Sequence, residues 1–279
     1  MNTSHLTLRA VALCAASLCA SGAAWAQNWS DTVLLAQAAT APQATEATPA
    51  ARAQTPAEKD GANAKRWSVS WGWNRSNYSN SDIHFKGVDH DFTLRDVRAT
   101  DRPGEVSLGT IFDTYLNPMN LSLPQTNLRV AYQYSADTAI ALNLDHMKYV
   151  MVQDVSAPIS GQINGVAQSG QQLLADNWMT YEHTDGLNII SLEIEKQRPV
   201  DWFGASYKSK VFGLAGVGIA LPKSNVKMGM INQQRNDEFH VAGYSLSAGA
   251  GLEVDVWRDL FVRGTYKFGY VDLPDVLTS

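Results

Sequence analysis

From Ala242 to Val256 the chain alternates without a break. Ala242, Tyr244, Leu246, Ala248, Ala250, Leu252, Val254 and Val256 are apolar, and the residues between them are Gly243, Ser245, Ser247, Gly249, Gly251, Glu253 and Asp255. Successive side chains of a strand point to opposite faces, so this pattern predicts one oily face and one polar face. A soluble sandwich strand sustains such alternation for about five or six residues. A membrane-crossing strand needs roughly 9–11, with lipid on one side and a polar interior on the other. The segment has the second length, and its polar face is too small and too charged for a packed core.

The same period recurs after Arg66. Trp67, Val69, Trp71 and Trp73 alternate with Ser68, Ser70, Gly72 and Asn74. Leu128, Val130, Tyr132 and Tyr134 form a second run, and Ser135–Thr138 turns it into a third through Ile140, Leu142 and Leu144. Ile190, Leu192 and Ile194 mark a fourth, Val217, Ile219 and Leu221 a fifth. After the run described first, Arg258-Asp259 turns into Leu260, Val262, Gly264, Tyr266, Phe268 and Tyr270. Connections alternate between short (135–138, 197–209, 258–259) and long (77–125, 151–177, 222–238). Outer-membrane barrels have short periplasmic turns and long extracellular loops. The predicted fold class is therefore all-β, a transmembrane antiparallel barrel of the small eight-strand type.

Seven runs are one short of the even count such barrels require, because an open edge in lipid leaves backbone groups unpaired. The expectation is that the last, downward strand is missing, with an open seam between the strands at 67–74 and 260–270. A sheet of seven closed by oligomerisation or by a loop is the alternative. Arg129, Glu193, Glu195, Glu253, Asp255, Arg263 and Lys267 share the inward parity. The interior of an eight-strand barrel is just wide enough for side chains to fill, so these charges should pair and not line a channel.

Residues 1–26 read as a secretory leader: Arg9, an apolar run over 10–24 too short to span a bilayer as a helix, and Ala24-Trp25-Ala26 before Gln27. Cys14 and Cys19, the two cysteines, fall inside it, so the exported chain should have neither disulfide nor thiolate metal site. Residues 27–65, rich in Ala, Thr, Gln and Pro, predict a disordered periplasmic arm. Residues 66–279 form the barrel, which places the protein in the outer membrane of a Gram-negative cell. A net charge of −5 argues against a nucleic-acid partner.

Two clusters carry candidate chemistry. In Tyr181-Glu182-His183-Thr184-Asp185-Gly186, the strand register turns His183 and Asp185 inward unless a bulge at Gly186 inverts them. Asp145 lies on the neighbouring strand. A His beside a carboxylate can serve as a general base, or it can anchor a loop through hydrogen bonds. In the first long connection, Asp89, His90 and Asp91 offer oxygen and imidazole ligands for a divalent cation, though not at EF-hand spacing. The competing expectation is an ordered loop over the barrel mouth. No nucleotide loop, zinc motif or nucleophile elbow is present, and no cofactor is predicted.

Several motifs together resemble a family of uncharacterised Gram-negative outer-membrane β-barrel proteins. They are Trp71-Gly72-Trp73-Asn74-Arg75 leading to Ser81-Asp82-Ile83-His84-Phe85, Asp91-Phe92-Thr93-Leu94 leading to Asp101-Arg102-Pro103, Asp145-His146-Met147-Lys148-Tyr149-Val150, Glu182-His183-Thr184-Asp185-Gly186-Leu187-Asn188 and Gly269-Tyr270-Val271-Asp272-Leu273-Pro274-Asp275. The resemblance implies a barrel and an outer-membrane address, without an activity, and one more strand beyond Leu273-Pro274-Asp275. A fainter likeness is to lipid A deacylase barrels, which carry a His and a Ser two residues apart on one strand with an acidic partner. Here Thr184 and Asp185 follow His183, so that Ser is absent from its expected position. The functional expectation is a structural, adhesive or ligand-binding barrel acting through its extracellular loops. Its partners are outer-membrane lipid and an extracellular ligand. The alternative is an outer-membrane lipid hydrolase, acting on lipid A or phospholipid, that uses His183 with Asp185 or Asp145.

Overall fold

The seven alternating runs all form strands, and they pair in sequence-adjacent antiparallel order. In a computed structural model the backbone is described for residues 8–18, 67–102, 125–204, 206–231 and 238–277. Side chains are described for these except 8–18, 184 and 185. The strands are β1 (Leu8–Leu18), β2 (Trp67–Asn77), β3 (Ser81–Lys86), β4 (His90–Val97), β5 (Ala99–Thr100), β6 (Thr126–Ser135) and β7 (Thr138–Met147). They continue as β8 (Val150–Met151), β9 (Val155–Ile163), β10 (Val166–Leu174), β11 (Met179–Val200), β12 (Ser209–Met228), β13 (Gly243–Trp257) and β14 (Leu260–Leu273). The protein is all-β and antiparallel. The sheet runs β10-β9-β4-β3-β1-β14-β13-β12-β11-β7-β6-β2, and β1 also pairs with β2.

Two expectations need correction. The seam between β2 and β14 is not open, because β1 pairs with both, Leu8 opposite Leu273 and Cys14 opposite Asn77. Unpaired strand edges recruit any segment able to complete their hydrogen bonds, and the apolar run assigned to the leader is such a segment. The long connections are not simple loops either. Residues 77–125 contain β3 and β4, and 151–177 contain β9 and β10, which extend the sheet as hairpins. We call the end bearing these hairpins the upper end. The predicted arm, 27–65, lies outside the described residues.

The long strands share apolar rungs that run from β2 to β13, and β14 continues them with Asp272 and Tyr270. One joins Trp71, Leu128, Leu144, Ile190, Ile219 and Tyr244, and the next Val69, Val130, Leu142, Leu192, Val217 and Leu246. Leu142, Leu192, Val217 and Leu246 are 49–58% exposed, so this face is apolar and uncovered. Ala242 departs from the expectation for its strand: it is buried, just before β13 begins, in the apolar cluster at the upper end.

The opposite face is concealed and strongly curled. Lys267 on β14 donates to Asp145 on β7 at 2.9 Å. Those strands lie four places apart in the sheet order, about 19 Å in a flat sheet at the usual strand spacing. Toward the upper end the concealed face becomes hydrocarbon and ring. Ile83, Phe85, Phe92 and Leu94 of the β3–β4 hairpin pack with Met147, Tyr149, Tyr181 and Leu187. Phe85 stacks on Phe92 with ring centroids 5.1 Å apart.

Candidate functional site

The charged interior is assembled from alternate residues of six strands. Arg129 of β6 donates to Glu193 at 3.3 Å and to Glu195 at 2.9 Å, both on β11. Arg263 of β14 donates to Glu195 at 2.5 Å and to Glu253 of β13 at 3.0 Å. Lys267 bridges Asp145 at 2.9 Å and Glu193 at 2.6 Å. Lys210 closes on Glu253 at 2.8 Å. The Arg263 guanidinium also lies 3.5 Å from the centre of the Phe212 ring. The facing small residues make room: a Cβ at Gly216 would crowd the Glu193 Cγ and the Ser247 Oγ. Asp255, expected inside, is exposed at the lower end. A void of about 40 Å³ is bordered by Arg129, Asp145, Glu193 and Lys267. That holds a few water molecules.

Of the residues proposed for catalysis, His183 and Asp145 do not come together. Asp145 is spent in the network above. It stands opposite Ile189 on β11, which pairs with Ala220, four positions along β12 from the His183 partner Ser224, on the order of 13 Å along a strand. The Asp185 side chain lies outside the described residues. Between His183, opposite Ser224, and Leu187, opposite Pro222, β11 carries two more residues than β12. The bulge is therefore real, but an insertion of two preserves parity, and His183 still turns inward. Gly186 takes φ 95° there, where the His146 ring leaves no room for a Cβ.

His183 is 1% exposed. Its Nδ1 lies 3.0 Å from Ser224 Oγ and its Nε2 3.4 Å from the Tyr181 hydroxyl. Its ring contacts Tyr149 and Tyr181, and its backbone N–H donates to the Tyr149 carbonyl at 3.0 Å. Ser224 is the partner that local sequence reading missed. It sits 41 residues away, and only the β11–β12 register could have revealed it. A neutral imidazole against a hydroxyl is the start of a nucleophile–base pair. Here both groups are buried, and the ring neighbours are aromatic.

Asp89, His90 and Asp91 do not converge either. On β4, His90 turns into the core and Asp91 away from it, as strand alternation requires. Asp91 meets His84 Nε2 at 2.7 Å, which lowers its carboxyl pKa. Burial lowers the His90 pKa against the opposing pull of Asp89 and Asp91. Among the described residues, no three His, Asp or Glu side chains are grouped to hold a metal ion. In comparison with known proteins, no family model matches the chain and no curated protein matches it, so the site is read from its own geometry.

Proposed function

We propose that this chain is an outer-membrane β-barrel whose role is structural, adhesive or ligand-binding, exercised through its upper hairpins. The observation that carries this reading is the contrast between the two faces of the curled sheet. Rungs of exposed Leu, Val, Ile and aromatic residues lie outside, and a network of paired Arg, Lys, Glu and Asp lies inside. That is the reverse of a soluble fold and the arrangement a bilayer selects. The pairing of β1 with both β14 and β2 supports a closed ring, which leaves no edge in lipid. Exposed aromatics favour both borders of the apolar band: Trp67, Tyr134 and Trp257 at the lower end, Tyr244 toward the upper. The ion-paired interior favours a filled barrel over a pore.

The test is the complete protein expressed in a Gram-negative host. It should fractionate with the outer membrane, and its band should shift on boiling in a denaturing gel. Recovery in the soluble periplasm, with no heat-dependent shift, would contradict the reading.

One observation favours the hydrolase alternative, the 3.0 Å approach of Ser224 to His183. In that reading His183 takes the Ser224 proton as Ser224 attacks a lipid ester, the proton passes to the departing alcohol as its bond to the acyl carbon breaks, and water then releases the acyl group from Ser224 as a fatty acid. The enclosure of both groups stands against it. Unchanged lipid A and phospholipid masses on comparing the wild type with Ser224→Ala and His183→Ala would remove it, leaving His183 as the anchor of the upper end.

A further inference from the structure

We propose that the outer edge of β10 pairs with the same edge of a second copy of this chain, joining two upper sheets into one. The hairpin that presents this edge is built without charge. From Val155 to Leu174 the chain reads Val-Ser-Ala-Pro-Ile-Ser-Gly-Gln-Ile-Asn-Gly-Val-Ala-Gln-Ser-Gly-Gln-Gln-Leu-Leu. Natural sheets protect such an edge with lysine, proline, an inward charge or a bulge. β10 has none of these. Its only proline-bearing neighbour is β9, and its ladder with β9 runs from Val166–Ile163 to Leu174–Val155 without a register shift. Among the described residues β10 pairs on one side only. Val166 is 61% and Leu173 52% exposed.

The hairpin turn determines which backbone groups face outward. Asn164 and Gly165 both take positive φ, 50° and 74°, the type I′ turn that Asn-Gly favours. A two-residue loop makes Ile163 and Val166 the closing hydrogen-bonded pair, so the bonds to β9 fall on the even-numbered residues of β10. The N–H and C=O groups of Ala167, Ser169, Gln171 and Leu173 therefore point away from β9.

The order of side chains along β10 selects a copy of itself as the occupant. About a two-fold axis at Gly170, an antiparallel partner sets Val166 against Leu174, Ala167 against Leu173, Gln168 against Gln172 and Ser169 against Gln171. Apolar meets apolar and polar meets polar at every rung, and the outward-facing backbone groups meet each other. A slip of two residues sets Val166 against Gln172 or Leu173 against Ser169. The match thus fixes one register.

The test uses the full chain, with Cys14 and Cys19 replaced by Ser, reconstituted in detergent and in vesicles. Gln168→Cys with Gln172→Cys puts two thiols directly opposite each other across the axis, while neither single variant places a thiol opposite its own copy. The double variant should form a disulfide-linked dimer on mild oxidation, and both single variants should remain uncrosslinked. Light scattering should give a dimer for the parent chain and a monomer for Ser169→Pro, which removes an outward N–H and leaves the ladder to β9 intact. A parent chain that is monomeric, or a folded double variant that does not crosslink, would overturn the proposal. Crosslinking of the single variants as efficient as that of the double would overturn the register.

Discussion

Below the rung that joins Asp145 to Ile189, the concealed face holds Arg129, Glu193, Glu195, Arg263 and Lys267. Above it, the same face holds Met147, Leu187, Val271 and Leu273. One continuous set of strands therefore carries two interiors. The lower is surrounded by the exposed apolar band, the upper by polar surface such as Arg102 and Glu182, paired at 3.1 Å. The difference follows from where each region finds apolar surroundings. In the proposed bilayer reading, the outer side of the band already takes the hydrophobic residues, and the interior is left to polar groups that must satisfy one another. Above the band, in the same reading, water surrounds the sheet. There the ordinary rule returns, and a hydrocarbon core is buried between β3–β4, β9 and the ends of β7, β11 and β12.

The comparison is sharpened first where the two interiors should fail differently. Glu195 accepts from both Arg129 and Arg263, so Glu195→Ala removes their shared carboxylate and leaves Arg129 with Glu193 and Arg263 with Glu253 alone, at an expected cost of about 3 kcal/mol in urea unfolding from vesicles. Leu94, fully buried in the upper core, should lose about 2–5 kcal/mol as Leu94→Ala. That loss should appear as protease sensitivity of the hairpins while the heat-dependent gel shift persists. A joint collapse of both regions in either variant would mean that the two interiors form one cooperative unit. On the outer side, Leu246→Arg should cost roughly 2–4 kcal/mol if Leu246 lies near the midplane.

Acid should act on the upper interior through His183, which lies above the rung that carries Asn188 and the apolar band below it. Burial holds its ring down to about 3 from its ordinary value of 6.5. The folded form excludes a proton that the unfolded chain binds, so stability contributed at neutral pH is lost as pH falls from about 6.5 toward about 3. His183→Gln should flatten that part of the stability profile, measured by protease resistance of the hairpins against pH. The smallest effect is expected at the exposed His84–Asp91 pair, where Asp91→Asn should change stability by less than about 1 kcal/mol.

Legibility in the sequence followed the same division. The lower region could be read residue by residue, because an apolar outer face and a charged inner face enforce a strict period of two along each long strand. The pairing of Arg129, Arg263 and Lys267 with Glu193, Glu195 and Glu253 follows from that parity. The upper region hid its strands inside long connections. Its signals were present, in the alternation Ile83, Phe85 and then Phe92, Leu94, and in Asn164-Gly165 between Ile163 and Val166, but they are short. The His183–Ser224 pair depends on a cross-strand register shifted by a two-residue bulge, which no local pattern encodes. The occupation of the β2–β14 seam by Leu8–Leu18 was equally illegible, because an apolar run that suits an export leader also suits a strand. Sequencing the N-terminus of the protein recovered from a Gram-negative host decides between those two fates: a start at Gln27 is expected from the leader, a retained Leu8 from the strand.

The central claim is that the apolar rungs face lipid while the charged rungs face a filled interior. Spin labels placed singly from Tyr244 to Val254 in bilayer-reconstituted protein test it most directly. Labels at Tyr244, Leu246, Ala248, Ala250, Leu252 and Val254 should be accessible to oxygen dissolved in the bilayer and shielded from a water-soluble relaxant. Labels at Ser245, Ser247, Gly249, Gly251 and Glu253 should be shielded from oxygen. The absence of this two-residue alternation, or water access along the Leu246 face, would contradict the account.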